Sequence, residues 1–282
     1  VRKRDFPRIA WTRLSRGVSR AAFQVGVGFA YSGPLGLLLG QLVGETAGSA
    51  SLGWAAWRKD RVPFKAVSLQ GIRQVGARYK RFPLFSSWGS LLDALGGSMP
   101  QLLFAAFYGA EVAGWFALGQ RVIAAPLNIV INSVAQVYFG EASRLSQNDP
   151  KAMRQLFFKL TRQLALAGGF PVVVICALAP YFFTIVFGPN WETAGRYVQI
   201  LGPMFAVRFL SVPLAHTFNI LERQDLYLFW EATRLVLVVG ILFVVKAVRL
   251  SHLAAIGSYS STMLIAYGIL WGLTWHTLIH KQ

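Results

Sequence analysis

The sequence predicts an all-α, polytopic integral membrane protein, and three observations carry that prediction. Hydrophobic residues make up 55% of the 282 and charged residues only 14%. The mean hydropathy is +0.48, whereas a soluble domain carries about a quarter charged residues. The apolar residues fall in stretches of about 20 or more, the length a helix needs to cross the hydrocarbon core. The 28 Lys and Arg sit in blocks between those stretches, as basic loops retained in the cytoplasm do. That placement also accounts for the net charge of +17 without a nucleic-acid partner, because a basic groove would need a soluble scaffold and the apolar runs leave none.

Eight membrane-spanning helices are expected. The first two cover about 15–33 and 34–57, after a segment with seven basic residues in the first twenty, Arg2 to Arg20. Gly36, Gly40, Gly44 and Gly48 recur at every fourth position of the second, a stripe that lets another helix backbone approach closely. Eight basic residues lie between Arg58 and Arg81. Within that connector Phe64, Val67, Ile72, Val75 and Tyr79 recur at helical spacing, so 58–82 reads as an amphipathic helix on the inner membrane surface. The remaining spans are expected at 83–107, 112–140, 157–187, 193–221, 226–247 and 252–279. Five basic residues lie between Arg144 and Arg162, and they place the link between the fourth and fifth spans inside. Only Lys246 and Arg249 fall in outer turns, which are short: Ser32–Gly33, Tyr108–Glu111, Gly188–Glu192 and Arg249–Ser251. This orientation puts the C-terminus in the cytoplasm. No cleavable signal peptide is expected at the start. Pro34, Pro83, Pro126, Pro171 and Pro213 fall at or inside helices, where a cavity or a neighbour satisfies the freed carbonyls.

Ionisable side chains at membrane depth are costly and face a partner or a cavity. At about 100° per residue, Asp93 shares a face with Ser86, Ser90 and Gly97. Arg121, Asn128 and Asn132 share another, with Gln136 to one side. Arg208 lies midway along its span, with Asn219 nearly below it. Glu231 and Arg234 are three apart and suited to neutralise each other, although Arg234 near the inner interface is also placed to snorkel. Glu45 lies between Gln41 and Ser49 on the second span. Trp271, Trp275 and His276 read as an interfacial aromatic belt.

Catalysis has little to stand on. His276 and His280 share a helix face without a third ligand, so no metal site is expected. No phosphate-binding loop or nucleophile elbow is present, no cofactor is expected, and the single Cys176 reads as a small apolar side chain. The short outer turns leave no room for an extracytoplasmic active site, so the chain is not expected to be an enzyme.

The stretch from Phe107 through Gly114-Trp-Phe-Ala-Leu-Gly-Gln-Arg121 to Pro126, continuing to Gln136-Val-Tyr-Phe-Gly-Glu-Ala-Ser143, resembles the central segment of bacterial O-antigen and exopolysaccharide flippases. These are the polysaccharide-transporter branch of the multidrug/oligosaccharidyl-lipid/polysaccharide exporter superfamily. Phe187-Gly-Pro-Asn-Trp191, followed by Ile200-Leu-Gly-Pro203, is similar to the same family's turn between its ninth and tenth helices.

The resemblance implies twelve or more helices in two lobes. Residues 1–57 would be the last two helices of the first lobe, 58–82 the cytoplasmic linker and 83–282 the second lobe of six. About four N-terminal helices of the pattern are then absent from this chain. It implies translocation of undecaprenyl-diphosphate-linked oligosaccharide from the inner to the outer leaflet of the bacterial inner membrane by alternating access. The expected partners are membrane lipids, that lipid-linked substrate and polysaccharide assembly proteins. Helix phase together with phosphate chemistry then nominates Arg121, Arg208 and Arg234 for the diphosphate. Asn128, Asn132 and Asn219 are nominated for sugar hydroxyls, and Asp93, Glu45 and Glu231 for ion coupling. The competing readings are a multidrug exporter or peptidoglycan-precursor flippase of the same superfamily, a membrane polysaccharide polymerase or ligase, and a non-transporting assembly subunit.

Overall fold

The computed structural model describes residues 18–19, 21–27, 46 and 81–280. The chain divides into two compact units, Val1–Tyr79 and Lys80–Gln282. Of the first, residues 21–27 are helical; the glycine stripe, Glu45 and the amphipathic connector lie outside the described residues.

The second unit is all helix among its described residues. α1 (Arg81–Tyr108) ends at Gly109, whose φ of 93° belongs to the left-handed region that glycine enters without a Cβ clash. That one residue reverses the chain into α2 (Ala110–Asn148). α3 (Pro150–Leu164) follows after Asp149 alone, whose carboxylate accepts from the Ala152 N–H at 3.0 Å and caps the new helix. The expected basic loop between the fourth and fifth spans is therefore helix on both sides of a single residue. Arg144 sits on α2, and Lys151, Arg154, Lys159 and Arg162 on α3. The physical reason is that α3 is amphipathic, burying Met153, Phe157 and Leu164 while Lys151, Lys159 and Arg162 stay at the surface. Its charge therefore does not prevent helix formation.

The expected fifth span, 157–187, is in fact interrupted twice. A π turn at Ala165–Gly169 precedes α4 (Phe170–Ala177), with the Phe170 N–H bonded to the Ala165 carbonyl five residues back. Pro171 explains it, since its ring has no N–H and crowds the carbonyl four residues before it. Gly168 gives room to the ring of Phe209, which lies where a Cβ would stand. α5 (Ala179–Phe187) begins beside Pro180 and ends at Gly188, φ 96°. A 3-10 turn, Pro189–Trp191, then leads into α6 (Glu192–Leu214), a short α7 (Thr217–Ile220), α8 (Gln224–Ala247) and α9 (His252–His280).

Cross-contacts confirm that the turns alternate between two ends. At one end the Tyr108 hydroxyl donates to the Leu250 carbonyl at 3.1 Å, Lys246 Nζ to the Phe107 carbonyl at 2.8 Å, and Trp115 Nε1 to the Asn190 carbonyl at 3.2 Å. These join three of the four expected outer turns; the fourth, Ser32–Gly33, is outside the described residues. At the opposite end Tyr138 and Thr217 share a hydrogen bond of 2.6 Å, and Arg154 Nη2 donates to the Ile279 carbonyl at 3.2 Å. Trp271 and Trp275, expected in an interfacial belt, are half-buried and stack on Phe157 of α3, with Trp271 Nε1 also bonded to Thr161.

α6 is the central helix, packed against α2, α4, α5 and α9. α1, α2, α6, α9 and α8 each touch the next, and α8 returns to α1, closing a ring of five. Backbone carbonyls at these seams take hydroxyl donors: Ser260 donates to the Ile200 carbonyl and Ser211 to that of Tyr267. Such bonds join helices where no hydrophobic drive separates helix from lipid. Outside the ring, large apolar side chains such as Ile129, Val137, Leu166, Phe170, Ile185 and Val236 lie exposed, which in water would be an untenable patch and in a bilayer is the lipid-facing surface.

Five described stretches are long and apolar enough to cross a membrane: Ala110–Ser146, Pro150–Ala177, Pro189–Ile220, Gln224–Ala247 and His252–His280. The protein is thus an all-α, multi-pass membrane protein. α1, also expected to span, is not among the five. Its apolar run is diluted by Asp93, Gly96, Gly97 and Gln101, residues whose place in the ring is described next.

Candidate functional site

The ring encloses a cavity of about 360 Å³, lined from every one of its five helices. α1 contributes Asp93, Gly96 and Gly97, and α2 contributes Gln120, Ala124 and Asn128. Arg208 comes from α6, Tyr227, Trp230, Glu231 and Arg234 from α8, and Tyr259 and Tyr267 from α9. Gln120 and Asn128 stand eight apart on α2, and Glu231 and Arg234 three apart on α8. Helical spacing therefore turns each set to one side.

The charge centre is a triad across the α1–α8 seam. Arg234 Nη2 donates to Glu231 at 2.5 Å and to Asp93 at 3.1 Å. Burial is uneven: Arg234 is 6% and Glu231 1% exposed, while Asp93 is 65% exposed. The guanidinium also lies 5.2 Å from the Trp230 ring centre, where the ring's negative face attracts it. Tyr227 is within hydrogen-bonding reach of Glu231. Gly96 makes room for this arrangement, because a Cβ there would stand 2.6 Å from Arg234 Nη2 and 3.1 Å from its Cζ. Arg234 does not snorkel to the interface; its two carboxylates hold it at depth.

Arg208 donates to the Asn128 side-chain oxygen at 2.9 Å and makes no ion pair among the described residues. Its neutral partner leaves its positive charge uncompensated, unlike that of Arg234. A second cavity of about 470 Å³ adjoins the first, sharing Gly97, Gln120, Ala124 and Asn128. It is an open groove between α1 and α2 that adds Gln101 and Arg121. Side-chain amides are both donors and acceptors, so the amides shared by the two spaces suit hydroxyl groups, and the arginines in each suit anionic ones.

Of the residues nominated from sequence, the fold brings Asp93, Asn128, Arg208, Glu231 and Arg234 into one cavity and Arg121 into the adjoining groove. Asn132 and Asn219 are exposed and line neither. Asn132 shares a face with Asn128 but lies a turn further along α2, past the end of the cavity. Asn219 is carried off on α7 because the chain turns at Ala215–His216 instead of continuing α6. Glu45 lies outside the described residues. The sequence reading missed Gln101, Gln120, Tyr227, Tyr259 and Tyr267, whose only signal was a polar group inside an apolar span. Among the described residues no group of three or more His, Cys, Asp or Glu is placed to hold a metal ion.

The fold thus defines a class, a multi-pass helical membrane protein whose bundle surrounds a charged cavity. The family described as polysaccharide biosynthesis protein matches residues 1–196, and the chain belongs to that family. It is similar to the teichuronic acid biosynthesis protein TuaB of Bacillus subtilis, 26% identical over 188 residues covering 65% of this chain and 37% of the relative. It is also similar to the amylovoran biosynthesis protein AmsL of Erwinia amylovora, 26% identical over 193 residues (64% and 46%). The lipopolysaccharide biosynthesis protein WzxC of Escherichia coli is 25% identical over 209 residues (73% and 41%). The matches thus span less than half the length of each of these relatives. No solved structure matches the chain.

Proposed function

We propose that this protein moves a diphosphate-linked oligosaccharide, carried on undecaprenol, from the inner to the outer leaflet of the bacterial inner membrane by alternating access, with its C-terminus in the cytoplasm. One observation supports this above all: the cavity within the ring of apolar helices holds two arginines and adjoins an amide-lined groove. A diphosphate cannot cross hydrocarbon unaided, and guanidinium groups offer it charge and paired donors. Sugar hydroxyls need the mixed donors and acceptors that Gln101, Gln120 and Asn128 supply. Membership of a polysaccharide biosynthesis family, and relatives named for teichuronic acid, amylovoran and lipopolysaccharide, favour a glycan carrier over a drug exporter.

In this reading Arg208 is the principal headgroup contact, because no carboxylate among the described residues pairs with it, and Arg121 extends the positive surface into the groove. The reading involves no bond making or breaking and no cofactor. Arg208→Ala is expected to abolish surface polysaccharide in the producing bacterium while the protein still inserts in the membrane at normal abundance. Normal polysaccharide in that strain would reject the headgroup site.

A further inference from the structure

We propose that Asp93 occupies, in the resting protein, the place an anionic phosphate group takes on Arg234, so that ligand binding releases α1 from α8. This rests on the diphosphate reading of the cavity but concerns a different residue and a different event.

Three observations converge on Arg234. Both of its carboxylate bonds leave from Nη2 alone, while its buried Nε finds no hydrogen-bond partner among the described residues. A buried donor left idle is uncommon and calls for an explanation; a guanidinium binds a tetrahedral oxyanion through two adjacent N–H groups. The group packs near the Trp230 ring and fits only because Gly96 has no Cβ. The site is thus formed in advance and only partly used.

The two carboxylates differ in how readily they yield. Glu231 is on the same helix, three residues from Arg234, and fully buried; removing a partner from a buried pair is costly. Asp93 is mostly exposed and comes from the neighbouring helix, so water resolvates its carboxylate when the bond breaks, and its departure costs less than that of a buried partner. An incoming phosphate therefore displaces Asp93, not Glu231, and in doing so removes the one described charge link across the α1–α8 seam. The far end of the same seam stays fastened by Lys246 to the Phe107 carbonyl and by Tyr108 to the Leu250 carbonyl, so the inner part opens about that end.

The test is calorimetric titration of the purified full chain in nanodiscs with inorganic diphosphate and, separately, with farnesyl diphosphate. Asp93→Asn is expected to bind whichever probe the wild type binds about three- to fivefold more tightly, the factor supplied by freeing an ion pair whose carboxylate is solvated. Gly96→Ala, which pushes the guanidinium out of its seat, is expected to bind more weakly. Tighter binding confined to farnesyl diphosphate identifies a lipid headgroup, and equal gains with both probes identify the phosphate chemistry itself. If the wild type binds but Asp93→Asn binds equally or less well, the displacement is overturned and the diphosphate reading survives. If neither probe binds wild type or variants, both fall. Should Asp93→Asn fail to fold, Asp93→Ser carries the same expectation.

Discussion

At the scale of single residues, the buried charges of α8 bear most directly on stability. Removing Arg234 strands the carboxylate of Glu231, which is 1% exposed, and a buried charge without its partner costs about 3–5 kcal/mol. Arg234→Ala is therefore expected to lower the thermal midpoint of the detergent-solubilised protein sharply. The double variant Glu231→Leu with Arg234→Met is expected to restore most of the loss, since a buried pair replaced by apolar groups is close to neutral. Asp93→Asn, by contrast, is expected to change the unfolding free energy by less than about 1 kcal/mol and so to move the midpoint little. Circular-dichroism melts of the four proteins check all three. The pairing of Glu231 with Arg234 was legible from their spacing of three, but the third member was not. Nothing in the sequence says that Asp93, 141 positions away from Arg234, sits across a helix seam from it.

At the scale of elements, close approach of backbones sets the packing. A Cβ at Gly195 of α6 would stand 2.5 Å from the Pro180 Cα and 2.8 Å from the Ala179 carbonyl of α5, and backbone atoms do not swing aside as a side chain does. Gly195→Ala is expected to destabilise the unit by about 1–3 kcal/mol through overpacking. Gly168→Ala meets the Phe209 ring instead, and pairing it with Phe209→Leu is expected to recover part of its cost. A double-mutant cycle by denaturation reads that coupling. The interruption of the fifth span belongs to the same scale. Pro171 was visible in the sequence as a helix breaker. A π turn that keeps the helix going depends on the space that Phe209 and Gly168 leave each other.

At the scale of the molecule, orientation follows from charge. Arg144 lies near the end of α2, and Lys151, Arg154, Lys159 and Arg162 lie along α3, so the positive-inside bias predicts that the α2–α3 end faces the cytoplasm. The Gly188–Trp191 turn is tied by Trp115 to the opposite end. In a background with Cys176 replaced by Ser, a cysteine at Asn190 is expected to react with an impermeant maleimide in intact cells. A cysteine at Lys151 is expected to react only after permeabilisation. The reverse pattern would overturn the proposed orientation.

Composition, apolar run length and the spacing of Lys and Arg were enough to determine the helical class, the bilayer as solvent and the positions of most turns. Each of these is a local property, set by what a short stretch of chain can place in hydrocarbon. The same holds for the polar residues of interest: their cost at membrane depth marks them wherever they fall, and five of the nine nominated meet in one cavity. Only the tertiary structure decided which of them share a space. Helix phase gives the face of one helix but not the neighbour that the face meets, so Asn132 and Asn219 matched in phase and still missed the cavity. The ring of five helices, and with it the choice of Asp93 as the removable partner of Arg234, exists only once α8 has packed back against α1.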